Sequence, residues 1–293
     1  MTTRYEPAID VDALVAIDTH VHIEIDHDGH SSLPSDLRDA ASKYFNTDGP
    51  RPDLDSIAGY YRARKMAAVV FTVDAETHLG EVPISSAGIA EGAARHNDVL
   101  IPYGSVDPHR PDAVDRIRAL VDDSGVRGFK FHPTVQGFDP SDERWYPLYS
   151  AIQDAGVPAL FHTGQTGIGA GLPGGRGLRL ALSNPMLLDG VAADFPDLQL
   201  VMAHPSVPWQ DEALSVATHK HNTWIDLSGW SPKYFPESLV RAAGSYLKDR
   251  VLFGSDFPLI TPDRWMSDAE RTTLKPEAMP GILKGNAVRL LGL

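Results

Sequence analysis

Leu14-Val15-Ala16-Ile17-Asp18-Thr19-His20-Val21-His22 runs from an apolar stretch straight into two histidines spaced two apart. A short apolar run of this kind reads as a buried strand, and in a strand residues i and i+2 point to the same side. His20 and His22 can therefore address one ion without distorting the backbone. Near the far end of the chain Val251-Leu252-Phe253 leads in the same way towards Asp256. Two imidazoles and a distant carboxylate, each following an apolar run, read as a metal site and make a metallohydrolase the leading expectation.

Working outward, eight such runs are found, at residues 15–17, 67–73, 99–104, 128–131, 158–161, 198–203, 223–227 and 251–253. The stretches between them carry helical spacing, as in Val114, Ile117, Leu120 and Val121. Near-continuous apolar strands alternating with helices imply a parallel sheet covered on both faces. The expected fold is α/β, a single (β/α)8 TIM barrel over residues 1–293, with active-site loop insertions at 26–51 and 164–179. An open doubly wound sheet is the alternative, and the count of eight argues for closure.

Composition narrows the function. Of the 293 residues, 42% are apolar and 22% charged, an ordinary globular balance. The net charge of −13 repels a phosphate backbone, so nucleic acid is excluded as a partner. With no cysteine there is no disulfide, no thiolate ligand and no thiol nucleophile, which leaves nitrogen and oxygen to hold the metal. The first twelve residues lack the apolar core of a leader, and no apolar run approaches membrane-spanning length. A soluble, cytoplasmic protein with no membrane partner is the expectation.

Catalytic groups in such barrels gather at the C-terminal ends of strands. The first run leads into His20 and His22, the fourth into Lys130 and His132, the fifth into His162, the sixth into His204 and the eighth into Asp256. One histidine after a strand is more often a hydrogen-bonded structural group; this many at one end of separate strands is not accidental. His27, His30, His78, His96, His109, His219 and His221 fall in expected loops or helices and read as structural or solvated, with His27 and His30 placed where they could touch a substrate.

The segments Asp18-Thr19-His20-Val21-His22, Gly128-Phe129-Lys130-Phe131-His132-Pro133, Phe161-His162-Thr163-Gly164, Ala203-His204-Pro205 and Gly254-Ser255-Asp256-Phe257-Pro258 resemble the amidohydrolase superfamily. The likeness is to the branch that holds aminocarboxymuconate-semialdehyde decarboxylase, salicylate-type decarboxylases and several lactone and C–C hydrolases. It implies one divalent ion, zinc or else manganese, held by His20, His22, His162 and Asp256, with water in the open position. It makes His204 the general acid and base, and gives Asp256 a share in catalysis. In binuclear members a carbamylated lysine at the position of Lys130 bridges two metals; in this mononuclear branch Lys130 and His132 are expected to bind substrate. A buried ion pair is the plain reading of Lys130.

Two loops bear on the substrate, which is expected to be a small molecule. Residues 164–177 are rich in glycine and include Arg176, with Arg179 just beyond; the arginines could pair with phosphate or carboxylate, or the segment could be a lid with no anion role. Residues 228–236 concentrate aromatics around Trp230, and Trp209 and Trp265 follow other strands. Aromatic walls suit a flat ring, but could equally form the contact of a homodimer. This pair of loops resembles 4-hydroxyphenyl-β-ketoacyl-CoA hydrolases, which implies a CoA thioester and a retro-Claisen cleavage releasing acetyl-CoA in aromatic catabolism. Non-oxidative decarboxylation of an aromatic or enoic acid is the alternative. Salicylate-type decarboxylases, however, commonly carry glutamate where this chain has His20. Lactone or amide hydrolysis is a further alternative, and a non-catalytic binding barrel would predict missing ligands.

Overall fold

The computed structural model describes residues 3–46 and 51–293. Of the expected insertion at 26–51, residues 47–50 lie outside the described part. Eight strands follow in chain order: β1 (Ala16–His22), β2 (Met66–Phe71), β3 (Leu100–Pro102), β4 (Phe129–Phe131), β5 (Ala159–His162), β6 (Leu200–Ala203), β7 (Thr223–Asp226) and β8 (Val251–Leu252). Neighbours in sequence pair in parallel, β1-β2-β3 in one set and β4 to β8 in the other.

Two narrow seams join the sets into a closed ring. Between β3 and β4 the Lys130 amide donates to the Gly104 carbonyl at 2.8 Å, beside the parallel bridge of Gly104 with Phe129. Between β8 and β1, Thr19 N–H donates to Phe253 at 3.0 Å, Asp256 N–H to His20 at 3.0 Å and His22 N–H to Phe257 at 2.8 Å. The open doubly wound alternative is thereby overturned, and the fold is a TIM barrel. All eight apolar runs form strands. The first ends in His20 and His22, as their spacing leads one to expect, and the segment after β8 gives β1 a second partner at that level.

Side chains alternate between two cores. Ile17, Ala67, Val69, Ile101, Leu160 and Val201 belong to the cluster filling the barrel. Ala16, Val21, Ala68, Val70, Leu100 and Phe129 belong to the layer between strands and helices. Strict alternation from Ile17 would turn His20 outward. The register between β1 and β2 slips by one residue between Asp18 and Val21, a bulge that absorbs the difference. Ile17 below it and His20 and His22 above it all face the interior.

The helices form by ordinary local rules. Asp53 caps Leu54–Arg62 by accepting from Ser56 N–H at 2.8 Å, and its Ile57, Ala58 and Tyr61 are buried against the strands. The last helix, Asn286–Leu291, contributes Ala287 and Leu291 to the inner cluster and plugs the end of the barrel opposite the histidines. No helix among the described residues is long and apolar enough to cross a membrane.

Trp265 is not at the mouth, where its position after a strand had suggested it. It lies on the helix Pro262–Ala269 with 0% exposure, donates from Nε1 to Leu227 O at 3.0 Å and packs 4.7 Å from the Phe253 ring. Trp265→Ala is expected to cost about 3–5 kcal/mol of stability, read as a lower urea midpoint with unchanged slope.

Candidate metal centre and catalytic cavity

Three side chains meet across the seam between β1 and β8. His20 Nε2 lies 3.2 Å from His22 Nε2 and 3.4 Å from Asp256 Oδ1, and His22 Nε2 lies 3.1 Å from the same oxygen. His20 and Asp256 are buried and His22 is half-buried. His20 Nδ1 sits 2.5 Å from Asp226 Oδ2, so its proton goes to that carboxylate and Nε2 presents a lone pair. Burial alone would raise Asp256, but the His22 hydrogen bond and the positive charge of its neighbours hold it below the usual carboxylate range, so it is ionised near neutrality. The proton that His22 Nε2 shares with Asp256 Oδ1 holds the place that a divalent cation would take between them. This nitrogen and oxygen donor set fits a divalent metal ion.

Lys130 lies directly beneath. It has 0% exposure, and its Nζ stands 3.2 Å from His20 Nε2. Burial lowers the Lys130 ammonium from its ordinary value and raises the Asp226 carboxyl, and each charge offsets the other's displacement. The lysine is thus an interior support of the site and does not line the cavity, unlike the substrate contact expected of it.

His162 and His204 stand to one side. His162 Nδ1 is 3.0 Å from His204 Nε2, while His162 Nε2 is buried with no hydrogen-bond partner. The structure thus brings His162 beside the trio but not within it. His132 stacks on the His162 ring at 3.8 Å and lines the cavity. His204 Nδ1 faces Ser228 Oγ at 3.0 Å, and the same hydroxyl lies 2.9 Å from His20 Nδ1. Burial is the main cause of a His204 pKa lowered to about 4, so its ring is neutral at pH 7.

The backbone is bent sharply at these positions. His204 has φ +71° and Asp256 φ +71°, left-handed values that cost a non-glycine residue roughly 1–3 kcal/mol and cluster at functional sites. Two glycines make room for the arrangement. A Cβ on Gly229 would lie 2.5 Å from His204 Nδ1, and one on Gly254 would lie 2.2 Å from Asp226 Oδ1.

Above the trio opens a cavity of about 370 Å³. His22, His132, His162, His204 and Asp256 form its floor, and Tyr44, Phe45, Trp230 and Tyr234 supply aromatic walls. Both loop insertions contribute, and they touch: a Cβ on Gly167 would fall 2.5 Å from the Phe45 ring. Arg38, Arg51 and Arg264 also line the space; Arg51 Nε pairs with Glu24 at 2.8 Å.

Arg176 does not reach the cavity. Its Nε pairs with Asp36 Oδ2 at 2.8 Å on the surface, tying one insertion to the other. His27 is exposed, and His30 Nε2 is hydrogen-bonded to Val82 O at 2.7 Å, so neither lines the cavity. Asp226 and Ser228 escaped the reading of the sequence, although a carboxylate inside the apolar run 223–227 was a usable signal. Arg38, Tyr44 and Phe45 gave none, because only the fold turns their helix, Ser35–Phe45, towards the mouth.

The amidohydrolase family model matches residues 17–293, and the chain belongs to this family. An uncharacterised TIM-barrel protein from Bordetella bronchiseptica is 26% identical, with a TM-score of 0.75 over 94% of this chain and 98% of that one. A 2,6-dihydroxybenzoate decarboxylase from Rhizobium is 15% identical, with a TM-score of 0.68 over 95% of this chain and 99% of that one. A 5-carboxyvanillate decarboxylase from Novosphingobium aromaticivorans, complexed with manganese and a nitrobenzoic acid, is 15% identical, with a TM-score of 0.67 over 100% of both chains. No curated protein matches the chain.

Because Asp226 fixes the tautomer and aim of His20, Asp226→Asn is expected to weaken divalent-metal affinity about 10- to 100-fold, measured by metal titration of the folded protein.

Proposed function

We propose that the chain is a divalent-metal-dependent enzyme that cleaves a carbon–carbon bond of a small aromatic anion, and that the reaction is non-oxidative decarboxylation of an aromatic acid. The observation that carries this reading is the convergence of His20, His22 and Asp256 under a cavity with aromatic walls and guanidinium groups. Solved decarboxylases of aromatic acids share the fold. We assign His20, His22 and Asp256 as ligands, with His162 completing the set; its unpartnered buried Nε2 supports that place. The ion, manganese or zinc, supplies Lewis-acid stabilisation of negative charge on substrate oxygens.

The rest is the work of the chain's own groups. Trp230, Tyr44 and Phe45 suit the faces of an aromatic ring, and Arg38 or Arg264 can pair with its carboxylate. His132 is assigned a place against the bound substrate. Neutral His204 accepts the proton of a hydroxyl ortho to the carboxylate. His204 delivers that proton to the ring carbon that bears the carboxyl, giving the keto tautomer; the bond from that carbon to the carboxyl then breaks, its electrons restore the aromatic ring as a phenolate, carbon dioxide leaves, and the phenolate takes its proton from water.

A second reading is hydrolytic cleavage of an aromatic β-ketoacyl thioester of CoA. It is favoured by His20, which stands where salicylate-type decarboxylases commonly carry glutamate. Against it, Arg176, expected to hold the CoA phosphates, is paired with Asp36.

The deciding experiment is mass spectrometry of products from the metal-replete protein, offered ortho-hydroxybenzoates and, separately, a 4-hydroxyphenyl-β-ketoacyl-CoA. Carbon dioxide release abolished by chelation supports decarboxylation. Release of 4-hydroxybenzoate and acetyl-CoA replaces it with the second reading, and silence from both overturns both. On whichever substrate turns over, His204→Ala is expected to keep its metal and lose about 10²–10⁴-fold in turnover; loss of the metal would make His204 a ligand instead.

A further inference from the structure

The chain carries 39 acidic side chains against 26 lysines and arginines, so a concentrated positive field on it stands out. One cleft of about 800 Å³ has that character. Lys233, Arg241, Arg271 and Lys275 line it, against a single carboxylate, Glu237. All four cations are exposed. Among the described residues their one ion pair is Arg271 with Asp268, at 4.0 Å.

The cleft shares a wall with the catalytic cavity. In the loop 228–236, Trp230, Ser231 and Tyr234 face the cavity while Pro232, Lys233 and Phe235 face the cleft. The loop is pinned where the two meet: Ser231 Oγ donates to Asp268 Oδ2 at 2.6 Å, and the other Asp268 oxygen is the one facing Arg271. An occupant of the cleft therefore lies one loop's thickness from the cavity.

We propose that this cleft binds a small phosphate-rich anion such as a nucleoside diphosphate. Four cations spread over the cleft exceed what one carboxylate needs, and match an anion with several charges in a row. A nucleic acid or an anionic membrane would need a longer basic stripe and would be repelled by the rest of a surface with a net charge of −13. Two sources share the chemistry: the phosphate tail of a substrate whose reacting end occupies the cavity, or a separate nucleotide. The inference stands on the cleft alone and holds whichever bond the enzyme breaks.

The test is calorimetric titration of the holoenzyme with ADP and with coenzyme A at low ionic strength. Both are expected to bind, at least ~10-fold more weakly in Arg241→Glu/Lys275→Glu and more weakly again as salt is raised to about 0.3 M. Both substitutions are at exposed positions outside the catalytic cavity, and an unchanged melting temperature confirms the fold. His22→Ala, which disables the metal centre, should leave ADP binding intact. Tighter binding of coenzyme A than of 3′-phospho-ADP, which lacks only the pantetheine arm, identifies a substrate tail, and equal binding of these two identifies a separate nucleotide. No binding of either, or binding lost in His22→Ala but kept in the double variant, overturns the proposal.

Discussion

The seam between the first and last strands is the constraint on which the rest depends. It consists of a few backbone hydrogen bonds, from Thr19 to Phe253, from Asp256 to His20 and from His22 to Phe257. Those bonds close the barrel, and they also set Asp256 against the two histidines of β1. Closure and assembly of the site are therefore one event. A shift of register at this seam would separate the carboxylate from the imidazoles even if every other strand kept its place.

Below the seam lies a stack of buried charge that would be costly in isolation. Asp226, His20, Lys130 and Asp256 all lie in the barrel interior, and each satisfies or offsets another. On the outer side of β1, Asp18 performs a parallel task. Burial raises its pKa to about 6, while it accepts hydrogen bonds from Ser255 Oγ at 2.5 Å and Tyr61 Oη at 2.7 Å. It anchors the Gly254–Asp256 turn from behind, as Asp226 anchors His20 from below. Removing one member of such a group leaves another charged and unpaired, which is why these residues act together.

Much of this was legible in the sequence, for definable reasons. The eight strands announce themselves because both faces of each are buried, so the runs are apolar throughout, and His20, His22 and Asp256 stand out as polar groups at their ends. The β1 bulge was not legible, since it arises from pairing with β2 and leaves no mark on composition. Nor was the direction of long side chains: Lys130 lies within β4 and His132 just after it, yet Lys130 stands beside His20 and off the cavity lining while His132 lines the cavity. Arg176 looked available in a glycine-rich loop, and only the approach of the other insertion shows Asp36 neutralising it.

The plug formed by Asn286–Leu291 and the seam at β8 have a consequence for how the molecule is made. The Thr19 hydroxyl donates to the Phe253 carbonyl across 234 positions of sequence. Contacts of such separation carry a large loop-closure entropy and form late. While the chain emerges from the ribosome, His20 and His22 are exposed long before Asp256 exists, and two imidazoles alone hold an ion weakly. Firm binding of an ion at this site would in this way wait for the carboxylate, which joins the two histidines only when β8 pairs with β1 and closes the barrel.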